Sequence, residues 1–308
     1  MKAVAFARIV KQRTNLVFSS ESTMHKPNFE NIQSELENKY RREPDPWGLK
    51  PDCAVRDLKL IYPFYRYYFD VKVHLSENQS VEELKNFIAI SNHTGQIPLD
   101  ALLICSAFAL EFEKPIVLRP MIERFLNGLP FLGLWSTEGG AVLGDRQNCI
   151  ELLKRGESVL VFPEGVTGIA KSTKNHYQLQ KFTRGFVRMA LTVKTPILPL
   201  AVIGAEEFYP FVYHSKLLPK LFKVPALPLS LNLIPLPSPV DIYIGELYHL
   251  PTNVNADSSD HEIDAIVHEL EARVKKLTDD GLKNKRTIPK RGLNIFKNIS
   301  NQIIRVKK

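Results

Sequence analysis

The sequence predicts an α/β domain, a central and mainly parallel sheet flanked by helices. Two observations carry that reading. From about residue 67 onward, short strand-like runs alternate with longer helical patterns, the order of a layered sheet with helices on its faces. Several of the runs, FIAIS at 87–91, SVLVF at 158–162 and ILPLAVI at 197–203, are apolar without alternation, as strands covered on both faces are. A chain of 308 residues is long enough for one such domain with appendages.

Taken in order, residues 29–42 read as a polar-faced helix and 43–52 (EPDPWGLKPD) as a proline-rich link. Residues 55–68 read as an aromatic-rich helix, and 67–75 (YYFDVKVHL) alternate as a first strand. The strand at 87–91 is followed by a helix over 99–110, with Pro98 at its opening. Then come a strand at 115–118 and a helix at 121–126; a strand at 140–143 and a helix at 146–155 capped by Asp145; and the strand at 158–162, ended by Pro163. A helix at 183–193, the strand at 197–203, a late strand at 240–245 and an amphipathic helix at 261–277 complete the set. The expected division is an N-terminal helical segment and linker at 1–54, the main domain at 55–250, a C-terminal helix at 251–280 and a basic amphipathic tail at 281–308.

Composition narrows the function. No apolar run approaches the roughly 20 residues of a membrane span, and residues 1–10 carry Lys2 and Arg8 without the apolar core of a secretory signal. Cys53, Cys105 and Cys149 are odd in number and far apart, which gives neither a disulfide framework nor a metal knuckle. They read as reduced thiols of a cytoplasmic protein. The eight histidines lack ligand spacing, so no metal is expected. The net charge of +8 is concentrated: residues 281–308 hold nine Lys and Arg and no acid. Leu293, Phe296, Ile299, Ile303 and Val306 recur among those cations near helical period. Such a segment suits an anionic lipid surface; a tail docked on its own domain and a phosphate-backbone contact with nucleic acid are the other readings, nucleic acid being the less favoured. Residues 208–236, greasy and broken by prolines, read either as a flap or lipid wedge or as irregular core packing.

Four segments hold the candidate chemistry. His93 follows the strand at 87–91, where ligands gather at the carboxyl ends of strands, and a histidine suits the removal of a hydroxyl proton. Asp100 is the natural carboxylate for the second ring nitrogen; it also suits the first turn of a helix, where the dipole favours an acid. Arg146, with Asp145 in GGAVLGDR at 139–146, offers a planar guanidinium for phosphate oxygens, or is a solvated first-turn residue. Glu164 and Gly165 end the strand of VFPEG at 161–165, and Pro199 lies in TPILPLAVIG at 195–204.

In this order and rough spacing, SNHTGQIPLD (91–100), GGAVLGDR, VFPEG and TPILPLAVIG resemble the four blocks of the PlsC-like glycerolipid acyltransferases (1-acylglycerol-3-phosphate acyltransferase-like). The resemblance spans about residues 55–250. It implies transfer of a fatty acyl group from acyl-CoA or an acyl-carrier protein to a lysophospholipid hydroxyl, on a peripheral protein of the inner membrane face, with no further cofactor. It makes His93 the general base and Asp100 its orienting acid. It gives Arg146 and Glu164 the acceptor, Gly165 the shaping of the site, Thr167 the place of the small hydroxyl residue that follows VFPEG in the family, and Pro199 a part in the acyl-donor site. The family block separates His from Asp by four residues, where this chain has six and places Pro98 at the usual Asp position. That longer loop resembles the glyceride-type branch, so a mono- or diacylglycerol acceptor stands beside lysophosphatidate, and a non-catalytic lipid-binding protein stands beside both. The arginine usual after VFPEG is missing, with Lys171, Lys174 and Arg184 as substitutes nearby.

Overall fold

In the computed structural model, the described residues are 18–19, 27–41, 43–94, 99–129, 131–165, 168, 171, 175–209, 212–214, 228–230, 232 and 234–286. The strands are β1 (Phe18–Ser19), β2 (Lys72–Ser76), β3 (Ile88–Ile90), β4 (Leu118–Ile122), β5 (Val142–Leu143), β6 (Ser158–Val161), β7 (Ile197–Ile203), β8 (Val212–His214), β9 (Pro228–Ser230) and β10 (Asp241–Ile244). The α-helices are α1 (Phe29–Tyr40), α2 (Pro51–Pro63), α3 (Leu99–Leu110), α4 (Arg124–Asn127), α5 (Leu132–Glu138), α6 (Arg146–Lys154), α7 (Gly185–Val193) and α8 (Asp260–Lys283). Eight strands form one sheet in the order β1-β2-β10-β7-β3-β6-β4-β5, and β8 pairs with β9 separately. The block β7-β3-β6-β4-β5 is parallel throughout, while β10 runs antiparallel to β7 and β1 antiparallel to β2. The mainly parallel α/β sheet expected from the sequence is present.

The strand period of two divides the core. Ala89 packs with residues of α2 and α3 on one face. Ile88 and Ile90, its neighbours along β3, pack with α6, α7 and α8 on the other. Both faces being covered, every residue of β7 is buried. That is why ILPLAVI shows no alternation.

Several boundaries differ from the expectation. The alternation at 67–75 is only half a strand: α2 continues into a π turn, Phe64–Tyr68, and β2 begins at Lys72. Tyr65, fully buried with its hydroxyl donating to Glu111, is held by the helical turn. The strand expected at 115–118 lies at Leu118–Ile122 and displaces the helix expected at 121–126 to the four residues of α4; α5 was not anticipated. The misleading residue is Arg119, a charge in mid-strand. It is fully buried and donates twice to Asp45, at 2.9 and 3.1 Å, and to the Gly140 carbonyl at 2.7 Å. The link at 43–52 is thereby tied into the domain, with Trp47 Nε1 donating to Asn148 Oδ1 at 2.9 Å.

The C-terminal helix runs through Lys283, past the expected break at 280, and starts with a Ser259–Glu262 capping box. Of the basic tail, Lys283 pairs with Asp280, Lys285 with Glu207, and Arg286 with Asp70 and Asp241. These cations are docked on the protein itself; the tail from residue 287 lies outside the described residues. Most of 208–236 lies outside them as well, although Phe208 and Tyr209 are buried core. All three cysteines are free, and among the described residues no helix is long and apolar enough to cross a membrane and no acid–His–Cys cluster could hold a metal.

Candidate active site

Beyond Ile90 the backbone leaves the sheet, and the side chain of Asn92 takes over the pairing. Its amide donates to Val202 O at 3.0 Å and its oxygen accepts from Val202 N–H at 2.8 Å. This two-point link to β7 fixes the loop that carries His93 at the carboxyl end of β3. The helix that follows supplies Asp100 in its first turn, and Asp100 Oδ2 lies 2.6 Å from His93 Nδ1. An ionised carboxylate only accepts, so Nδ1 carries the proton and Nε2 is left as the basic nitrogen. The same Oδ2 accepts from Thr94 N–H at 2.8 Å and Thr94 Oγ1 at 3.1 Å, and Oδ1 accepts from Ala101 N–H at 2.8 Å. Burial pushes the Asp100 carboxyl up; the attraction of His93 and these hydrogen bonds outweigh it and hold the carboxyl below its usual range. The six-residue spacing therefore does not keep the pair apart. Residues 95–98, Pro98 among them, lie outside the described residues.

The adjacent strand β6 supplies the second half of the cluster. Phe162 stacks on the His93 ring, centroids 4.1 Å apart and planes 16° from parallel, covering one face of the imidazole. Glu164 is buried, with Oε1 accepting from the His93 N–H at 2.9 Å and Oε2 from the Gln180 N–H at 2.9 Å. Lys171 Nζ lies 2.8 Å from Glu164 Oε2 and donates to the His93 carbonyl at 3.0 Å. Glu164 and Lys171 thus brace both backbone groups of the histidine. Gly165 has φ +56°, the left-handed turn that glycine adopts without strain. A Cβ on Gly168 would fall 2.8 Å from His93 Cβ and 2.9 Å from Glu164 Cβ, so Gly168 sits too close to them for any side chain. At the end of β7, Glu206 is buried with Oε1 unpartnered and Oε2 accepting from Tyr177 N–H at 2.7 Å.

Arg146, Pro199 and Arg184 are not gathered with these. Arg146 is exposed at the start of α6, capped by Asp145. It follows β5, three strand spacings and so roughly 14 Å along the sheet from β3. Pro199 is buried inside β7 opposite Ile90, three residues and about 10 Å before the Val202 contact. Arg184 is committed to Asp260 and Asp264 of α8. Thr167 and Lys174 lie outside the described residues. Sequence reasoning missed Asn92, Phe162 and the bracing role of Lys171. A polar residue directly after a buried strand was the one available signal, for Asn92.

A histidine–carboxylate pair thus stands at the carboxyl end of a parallel strand on an α/β sheet, with the imidazole's other nitrogen able to accept a proton. The model of the acyltransferase family matches residues 70–203, the span from before β2 through β7. The chain carries a PlsC-like acyltransferase domain, as the resemblance of its four blocks implied. An uncharacterized protein of Mycobacterium tuberculosis is 32% identical over 227 residues, 70% of this chain and 63% of that protein. The match thus spans less than two thirds of that relative's own length. The 1-acyl-sn-glycerol-3-phosphate acyltransferase of Borreliella burgdorferi is 23% identical over 149 residues, 45% of this chain and 54% of that one. Among solved structures, the 1-acyl-sn-glycerophosphate acyltransferase PlsC of Thermotoga maritima is similar with a TM-score of 0.49 and 19% identity, over 76% of this chain and 83% of that one; a likeness so loose decides nothing about the site.

Proposed function

We propose that this protein transfers a fatty acyl group from acyl-CoA or an acyl-carrier protein to the free hydroxyl of lysophosphatidate or a related lysophospholipid. The observation that carries the reading is the buried 2.6 Å pair of His93 Nδ1 and Asp100 Oδ2 inside a domain of the acyltransferase family. His93 Nε2 takes the acceptor's hydroxyl proton as the oxygen attacks the thioester carbonyl. Asp100 stabilises the imidazolium so formed. The tetrahedral intermediate collapses with expulsion of the carrier thiolate, which receives the same proton from His93. The acceptor is itself the nucleophile, so no acyl-enzyme forms.

Glu164, in this reading, acts through the backbone of His93, both of its oxygens being engaged. Arg146 remains the proposed contact to the acceptor, as a phosphate ligand from the start of α6, with Thr167 in place of the family's small hydroxyl; Pro199 and Gly165 shape the walls. The lipid substrates place the protein at a membrane surface on the cytoplasmic side.

The test is product detection by mass spectrometry with purified protein. Acyl-CoA and acyl-carrier protein are each offered against lysophosphatidate, other lysophospholipids, and mono- and diacylglycerol. Diacyl product from lysophosphatidate supports the proposal. Product only from mono- or diacylglycerol would replace the acceptor with a neutral glyceride and leave Arg146 without its phosphate. No product from any pair would favour a lipid-binding protein on this fold.

A further inference from the structure

Among the described residues, the largest run of exposed apolar side chains stands on the segment that follows β4. Leu129, Phe131, Leu132, Leu134 and Trp135 are all exposed, Phe131 at 91% and Leu134 at 66%. Scattered exposed apolar residues are ordinary, but five within seven positions form a patch, and such patches mark interaction surfaces. Phe131 also holds φ +63°, a left-handed conformation unusual for a bulky residue. Its ring gains no burial in return.

We infer that Leu129, Phe131, Leu132, Leu134 and Trp135 form a wedge that inserts into the surface of an anionic lipid bilayer at the active-site end of the sheet. Three observations choose the bilayer over a second protein. First, β4 is parallel to β6 and β3 and lies two strand spacings, about 10 Å, from β3, so the chain that leads into the segment departs from the same end of the sheet as His93. Second, residues 124–137 contain no acid, the flanking Glu138 is paired with Lys50 and Glu123 stands before Arg124, and the exposed cations Arg124 and Arg146 lie at the base of the segment and at the start of α6, available to anionic headgroups. Third, the patch mixes aliphatic side chains with an exposed indole, the composition that settles at a lipid–water boundary. The inference rests on the proposal of a lipid acceptor, which explains why a lipid surface should be met at this end. It is independent of the C-terminal tail.

Trp135 reports on the wedge directly, because the other indole, Trp47, is held inside by Asn148. The full-length protein is titrated, without substrate, with phosphatidylcholine–phosphatidylglycerol vesicles carrying brominated acyl chains. The expected result is a blue shift and quenching of emission that Trp135→Phe abolishes. The double substitution Phe131→Asp and Leu134→Asp is expected to weaken vesicle binding by about tenfold or more, with thermal unfolding unchanged. Its acyl transfer to a monomeric short-chain acceptor is expected to stay at the wild-type rate. Vesicle binding with unquenched Trp135 would overturn the inference, since another surface would then carry the contact. So would concentration-dependent dimerisation that the double substitution breaks while the wild-type protein ignores vesicles. Because binding is read without turnover, loss of the acyltransferase reading alone would leave the vesicle result standing.

Discussion

Asp100 carries four hydrogen bonds and His93 two more to its own backbone, so the imidazole has little freedom to turn. Its basic Nε2 is an arrangement Asp100 imposes. Asp100→Asn offers an amide that can donate to Nδ1 and so favours the other tautomer; transfer is expected to fall by about 10²-fold or more, read as initial rate. A second buried carboxyl at this scale makes stability depend on pH. Burial pushes Glu206 up to about 8; Lys171 and the Tyr177 N–H oppose that rise, and Glu207 and Glu164 add to it. The folded protein thus holds a proton that the unfolded chain releases near 4.5. The sign follows from linkage: the contribution is full below about 4.5 and is lost as pH rises to about 8. The melting temperature of Glu206→Gln should fall less across that window than that of the wild-type protein, as calorimetry at several pH values would record.

Among elements, the N-terminal region and the loop after β6 carry the sharpest consequences. Arg119 and Asp45 are both buried, so removing Asp45 strips the guanidinium of its two short hydrogen bonds and leaves only the longer 3.9 Å pairing with Glu157 as ionic compensation. Asp45→Ala should cost about 3–5 kcal/mol in a denaturant titration, far more than a proline-rich linker would. Gly168→Ala drives a methyl into the Cβ atoms of His93 and Glu164, neither of which can swing away. A loss of about 1–3 kcal/mol is expected, with a fall in kcat larger than that of an equally destabilising change elsewhere. These elements also show what the sequence discloses. The strand β7 was legible residue for residue because burial on both faces leaves an uninterrupted apolar run. The strand β4 was not, because Arg119 is satisfied by Asp45, 74 positions away, and no local pattern announces that pairing. The π turn at Phe64–Tyr68 was hidden in the same way, its aromatic residues serving a helix or a strand equally well.

For the molecule as a whole, chain order and apolar runs were enough to give a parallel sheet with helices on both faces, and the four blocks gave the family. The same sheet explains which site residues were legible. His93, Asp100 and Glu164 follow or adjoin the neighbouring strands β3 and β6, and the fold brings them together. Arg146 follows β5 at the edge, and Pro199 lies within β7; block membership could not tell proximity from mere order along the chain. The braces, Asn92 and Lys171, act through backbone atoms, which sequence spacing does not reveal. One measurement bears most directly on the whole account: the initial rate of acyl transfer to lysophosphatidate by wild-type protein and by His93→Ala, with equal melting temperatures verified. The account predicts product from the wild-type protein and a rate about 10²- to 10⁴-fold lower in the variant. Equal rates from the two proteins would contradict it, because the base would then lie elsewhere.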